Sequence, residues 1–213
     1  DYGDNLIIPG FVDTHAHAPQ YCNRGLGMDK ELLPWLETYT FPEEAKFSNL
    51  DYARLVYGAF VQDLWRNGTT RSILFGTIHK ESTLVLMELL QKAGLSAYVG
   101  KVNMDRNSPD FLIEETSQSL ADTKDWLEAS AQFGPLVKPI ITPRFVPSCT
   151  SELMDGLGTL SEEYKVPVQS HLSENHGEID WVGALHPESP NYTDVYYEHK
   201  LMGRTPTVMR SEE

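Results

Sequence analysis

The sequence predicts an α/β chain built from consecutive strand and helix units of a TIM-like (β/α)8 barrel, with roughly the first five units represented. Three observations predict it. Short apolar and β-branched runs alternate with amphipathic helical patterns, which implies parallel strands covered by helices. No GxGxxG or GxxxxGK follows the early strands, so the usual nucleotide-binding signs of an open doubly wound sheet are missing and the weight moves to a barrel. A His-x-His pair then ends the first run, and both architectures gather function at the C-terminal ends of their strands.

The elements follow in order. Leu6-Ile7-Ile8 and Phe11-Val12, separated by Pro9-Gly10, read as a strand entered through a bend and ending near Thr14. Residues 18–46 carry no regular period. Asn49 then caps a helix in which Tyr52, Leu55, Val56, Ala59 and Phe60 recur at helical spacing until Asn67-Gly68. Thr69 to Thr77 is a second strand, and the pattern through Leu86, Leu89, Leu90 and Ala93 is a helix stopped by Gly94. Ala97 to Met104 reads as a strand, Ser108-Pro109 opens a helical stretch carrying Ile113, Leu120 and Leu127, and Val137 to Phe145 reads as the next strand. Leu153, Leu157, Leu160 and Tyr164 continue the rhythm, Val166 to Leu172 is a fifth strand, and a polar helical region with loops runs from Glu174 to about Met202. Residues 6–203 therefore form one partial barrel domain, and 204–213 an atypical C-terminal end.

Composition excludes several classes. With 17 basic against 31 acidic side chains the formal charge is −14, which repels a phosphate backbone and argues against a nucleic-acid partner. No apolar run approaches the roughly 20 residues that span a bilayer, and no basic-then-apolar leader opens the chain, so a cytoplasmic protein without membrane association is expected. Cys22 and Cys149 form no CxxC pair and read as free thiols rather than a disulfide or a cysteine zinc site.

Two clusters carry chemistry. In Val12-Asp13-Thr14-His15-Ala16-His17, residues two apart on a strand face the same side, so His15 and His17 can grip one ion such as Zn²⁺. The same pair reads equally as two solvated loop histidines. In Gln169-Ser170-His171-Leu172-Ser173-Glu174, a third imidazole and a carboxylate reach the same barrel face. Three histidines can hold zinc and leave a position for a water whose pKa then falls to roughly 7. Glu174 is placed to move that water's proton, although a carboxylate opening a helix is also common for dipole reasons alone.

The run Pro9-Gly10-Phe11-Val12-Asp13-Thr14-His15-Ala16-His17 resembles the opening strand of the amidohydrolase superfamily. Within it, His17-Ala18-Pro19-Gln20-Tyr21, Trp35 to Pro42, Asn67-Gly68-Thr69-Thr70, Pro139 to Phe145 and Ser170 to Asn175 resemble the guanine deaminases. The resemblance implies a metal-dependent hydrolase barrel, hydrolytic deamination of guanine to xanthine and ammonia, one zinc ion, and a homodimer. By the same resemblance His15, His17 and His171 are metal ligands, Glu174 the proton shuttle, and Gln20, Arg144 and Phe145 the purine-binding residues. Arg144's fork suits a ring carbonyl, and Gln20 offers both donor and acceptor. Arg144 reads alternatively as the partner of one of the many acids.

The pattern also breaks. The family supplies a further histidine after a Val-Met pair and a later metal-binding aspartate, whereas Thr207-Val208-Met209 is followed here by Arg210-Ser211-Glu212-Glu213. His79, His176, His186 and His199 do not fill the gap by motif; His79, after a strand, is the best placed of them. Five strands do not close an eight-strand barrel, and the open sheet exposes edges and apolar faces. A truncated, spliced or partial chain is therefore expected. Two other readings stand beside deamination of guanine: a related amidohydrolase acting on another aminated heterocycle or nucleoside, and a catalytically silent chain that associates with a full-length subunit.

Overall fold

The computed structural model describes residues 2–211. Its strands are β1 (Phe11–His17), β2 (Thr69–Phe75), β3 (Ser96–Gly100), β4 (Val102–Asn103), β5 (Val137–Pro139), β6 (Thr142–Pro143), β7 (Val168–His171) and β8 (Thr207–Arg210). Every pairing is parallel: β1 with β2, β2 with β3, β3 with β5, β4 with β6, and β7 with β8. The Ile141–Val168 bridge joins the middle of this arc to β7. The fold is thus a partial (β/α) barrel, as the alternation predicts.

Two runs that read as single strands are each split. The Ala97 to Met104 run breaks at Lys101, and the Val137 to Phe145 run breaks at Ile140-Ile141. In both places the chain changes neighbour, from β5 to β6 on one side and from β3 to β4 on the other.

The helices outside the arc are α3 (Leu50–Arg66), α4 (Lys80–Ala93), α5 (Thr116–Ser130) and α6 (Ser151–Tyr164), preceded by the short turns α1 (Leu32–Trp35) and α2 (Phe41–Ala45). Asn49 caps α3 by accepting from the Asp51 and Tyr52 N–H groups, and Gly94 ends α4 at φ 71°, where a side chain would be strained. Their apolar stripes meet the sheet in one core that holds Leu74, Leu86, Leu90, Val99, Trp126, Ile141, Leu157 and Val168, all buried.

Four expectations are corrected. Within residues 18–46, expected to be irregular, Ala18–Asn23 and Leu32–Ala45 are short helical turns, with Pro19 and Pro42 at turn starts, and only the stretch between them is irregular. The helix expected from Ser108 begins only at Thr116: Asp110–Leu112 is a separate 3-10 turn, and the Glu115 side chain caps α5 by accepting from Gln118 N–H. β1 runs on to His17 instead of ending near Thr14. A further strand follows the five read from the pattern, because β8 pairs along the whole of β7 from Val168–Thr207 to His171–Arg210. Glu212 and Glu213 lie outside the described residues.

The expected exposure of apolar surface is found at β1, where Phe11 and Val12 are more than half exposed, with Leu6, Ile7 and Ile8 before them. Cys22 is exposed and Cys149 buried, both free. Among the described residues no helix is long and apolar enough to cross a membrane. Two further helices, α7 (His176–Leu185) and α8 (Tyr192–Glu198), lie between β7 and β8, and the connection returns the chain to the end of the sheet where β7 began, since β8 is parallel to β7.

Candidate metal and substrate site

The site starts from strand alternation. His15 and His17 both leave β1 toward the interior, and His171 ends β7 at the same rim. One ring nitrogen from each of the three lies within 4.8 Å of the other two, so the solvated-loop reading of the pair does not hold. His17 Nε2 is 2.9 Å from His171 Nε2. The His171 Nδ1–H donates to the Arg144 carbonyl at 2.6 Å, which leaves Nε2 as the lone-pair nitrogen facing the cluster. Phe75, from the neighbouring strand, stacks on His17 at 4.4 Å between ring centres and packs against His15 and His171.

All three imidazoles are held neutral. Burial lowers the His15 pKa to about 4, helped by the Arg210 charge, and burial drives His17 and His171 well below the ordinary histidine value. His17 Nδ1 is buried without a hydrogen-bond partner. Neutral rings with converging lone pairs are what a borderline cation such as Zn²⁺ requires, so the donor set fits a metal.

The triad opens into a cavity of about 350 Å³ that is also lined by Gln20, Trp35, Leu36, Arg144, Phe145, Glu174 and Arg210. The seven residues expected at the site, His15, His17, Gln20, Arg144, Phe145, His171 and Glu174, therefore line one cavity. Ser173 at φ 54° turns the chain after β7 and brings Glu174 to this wall. Glu174 lies ahead of α7, which Asn175 caps, so it is no first-turn carboxylate; Glu178 fills that role and accepts from the Glu174 N–H at 2.9 Å.

Both readings of Arg144 are met at once. It lines the cavity, and its Nη1 donates to Glu44 Oε2 at 2.5 Å in a pair that is almost fully buried. Gln20 Nε2 donates to the other oxygen, Glu44 Oε1, at 3.1 Å. Glu44 and Phe75 escaped the sequence reading: Glu44 sits in the stretch without a period, and Phe75 looks like any strand residue.

Arg210 stands in register with His171 and forms an ion pair with Glu174. The other histidines stay apart from this cavity. His79 leads into α4 beside a separate cavity with Glu81, Glu114 and Asp122, while His186 accepts from Arg106 and His199 contacts Asp155.

Comparisons with known proteins place the chain among its relatives. The chain is 52% identical over 210 residues to the guanine deaminase of Dictyostelium discoideum, covering 98% of this chain and 46% of that protein. It is 43% identical over 200 residues to the human guanine deaminase, covering 92% and 44% respectively. Among solved structures, the guanine deaminase of C. acetobutylicum with bound guanine in its active site superimposes with a TM-score of 0.93 at 57% identity, covering 98% of this chain and 52% of that one. The chain spans about half the length of the curated relatives it matches. The amidohydrolase family model matches residues 6–210, and the chain belongs to that family.

Proposed function

We propose that this chain carries the metal-binding and purine-binding part of a hydrolytic guanine deaminase, converting guanine and water to xanthine and ammonia. The observation that carries the reading is the convergence of His15, His17 and His171 on the cavity that also holds Gln20, Arg144, Phe145 and Glu174. The identity with guanine deaminases supports the substrate.

His15, His17 and His171 would hold one zinc ion. Bound there, the ion supplies Lewis acidity that makes a water acidic near neutral pH. The remaining work falls to side chains. Phe145 and Trp35 offer apolar faces to a flat ring, while Arg144 donates to a ring carbonyl and Gln20 meets the adjacent edge. Glu174 takes the proton of the attacking water as the new C–O bond forms at the amino-bearing carbon. It delivers that proton to the departing nitrogen as the C–N bond breaks, so the carboxylate ends as it began. A single partner molecule, the neutral purine base, follows from this wall, and no nucleic-acid or membrane partner is part of the reading.

One observation favours a second reading, the catalytically silent chain. Arg210 pairs with Glu174, the carboxylate that must accept the proton.

The test is guanine loss and xanthine formation by the purified, zinc-supplemented chain, with Glu174→Gln beside it. Xanthine formation that Glu174→Gln abolishes supports deamination. Turnover that survives the substitution removes Glu174 from the proposed role, and absent turnover favours the silent chain.

A further inference from the structure

We propose that Glu44 is a positioning residue that fixes the hydrogen-bonding polarity of the substrate cavity, selecting a base edge with a ring carbonyl beside a ring N–H. The proposal rests on the purine reading above and deepens it. Glu44 lies on α2, far from the triad in sequence, and is 1% exposed. Its two carboxylate oxygens are divided: Oε2 receives Arg144 Nη1 at 2.5 Å, and Oε1 receives Gln20 Nε2 at 3.1 Å. Phe41, one helical turn earlier, lies under the Arg144 guanidinium at 5.1 Å. One short helix therefore holds two of the polar side chains of the cavity wall, Gln20 and Arg144.

The division has a chemical consequence. A carboxylate only accepts, so Gln20 must turn its NH₂ toward Glu44, which leaves Oε1 as the amide atom for the cavity. Arg144 has only donors to offer. The wall thus presents an acceptor and a donor in a set order; for a ring whose orientation is fixed by the triad and by Phe145, that order matches a lactam edge (N–H beside C=O) and opposes the reversed order of an amidine edge such as that of adenine, which meets the wall only with the ring turned over. Because the guanidinium charge is already balanced by a buried carboxylate, the wall favours a neutral edge over an anionic group. With a glutamine at position 44 the acceptor-only constraint is gone, and Gln20 can present either end of its amide.

Hypoxanthine and adenine separate these edges, since neither carries the 2-amino group of guanine. Calorimetric binding of both to the zinc-supplemented chain and to Glu44→Gln should show a preference for hypoxanthine that shrinks by about tenfold in the variant, the scale set by leaving a buried polar group mispaired. In the ligand-free proteins the Gln20 side-chain NH₂ resonances should shift between wild type and variant. A merely structural Glu44 would lower both affinities together and leave their ratio unchanged. An unchanged ratio, or unmoved Gln20 resonances, overturns the proposal. Wild-type chain that binds neither base overturns the purine reading and the selectivity with it, whereas binding without a change in ratio overturns the role of Glu44 alone. Should Glu44→Gln fail to fold, Glu44→Asp keeps the charge, and its shorter reach releases one of the two partners; the ratio should shrink only where the Gln20 NH₂ resonances move, and either change without the other overturns the proposal.

Discussion

His17 Nε2 faces His171 Nε2 at 2.9 Å, a separation at which either His17 in its Nε2–H tautomer donates to His171 or two lone pairs point at the same place. Burial opposes a further, charging proton on both rings. A divalent cation relieves this better than a proton does, because it takes both lone pairs and the third from His15. Substituting any one of the three by asparagine should lower zinc affinity by more than the 10- to 100-fold that loss of an outer hydrogen-bond partner costs. Chelator competition, or the visible spectrum of the cobalt(II) form, reads this directly. An affinity that survives His171→Asn would mean that the metal, if bound, sits elsewhere.

Arg210 acts against the same cation. Its charge contributes to the lowered pKa of all three histidines, which places a positive field over the triad. The same field opposes Zn²⁺. Arg210→Met should therefore raise zinc affinity, by about threefold to tenfold at low ionic strength, and added salt should narrow the gap by screening. Equal affinities at low salt would show that the Glu174 carboxylate already cancels the guanidinium charge.

How far the sequence revealed this site depends on how local each signal is. His15, His17 and His171 stand at strand ends, and the period of two places a His-x-His pair on one face whatever the tertiary contacts. Glu44 has no such local signature: its partner Arg144 is 100 residues away, and only the packing of α2 against the barrel mouth joins them. The strand breaks at Lys101 and at Ile140-Ile141 were hidden because apolar composition continues across them while the pairing partner changes. Four residues, Thr207 to Arg210, are too few to carry a pattern, and pairing with β7 defines them as strand β8. The helix start at Thr116 is hidden for the opposite reason, since Ser108-Pro109 is a sound opening signal that here serves a single 3-10 turn.

Gly100 marks where the barrel interior is filled. A Cβ there would fall 1.7 Å from Thr142 Oγ1 and 2.7 Å from Gln169 Nε2. Gln169 Nε2 itself donates to Thr142 Oγ1 at 2.9 Å and to the Leu74 carbonyl at 3.0 Å, tying β7 to β6 and β2 across the inside of the arc. Gly100→Ala should cost roughly 1–3 kcal/mol, the range for overpacking a filled interior, read as a lower urea midpoint. An unchanged midpoint would mean that Thr142 and Gln169 can move aside without loss.

The pair formed by Arg106 and His186 predicts a pH dependence. Arg106 Nη2 donates to His186 Nε2 at 3.1 Å, so the ring must be neutral and carry its proton on Nδ1. Burial first, then the charges of Arg106 and His199, lower the His186 pKa below 6.5, against the opposing pull of Glu188 and Glu198. In the unfolded chain His186 titrates near its ordinary value, so below it the unfolded state binds more protons than the folded one. The stabilisation is complete above pH 6.5 and is lost as pH falls through the lower, folded value. His186→Asn keeps an acceptor for Arg106 but cannot be protonated. Melting curves recorded from about pH 7.5 down to about pH 5.5 should show the wild type losing stability faster than the variant. Parallel loss in the two proteins would assign the acid sensitivity to other groups.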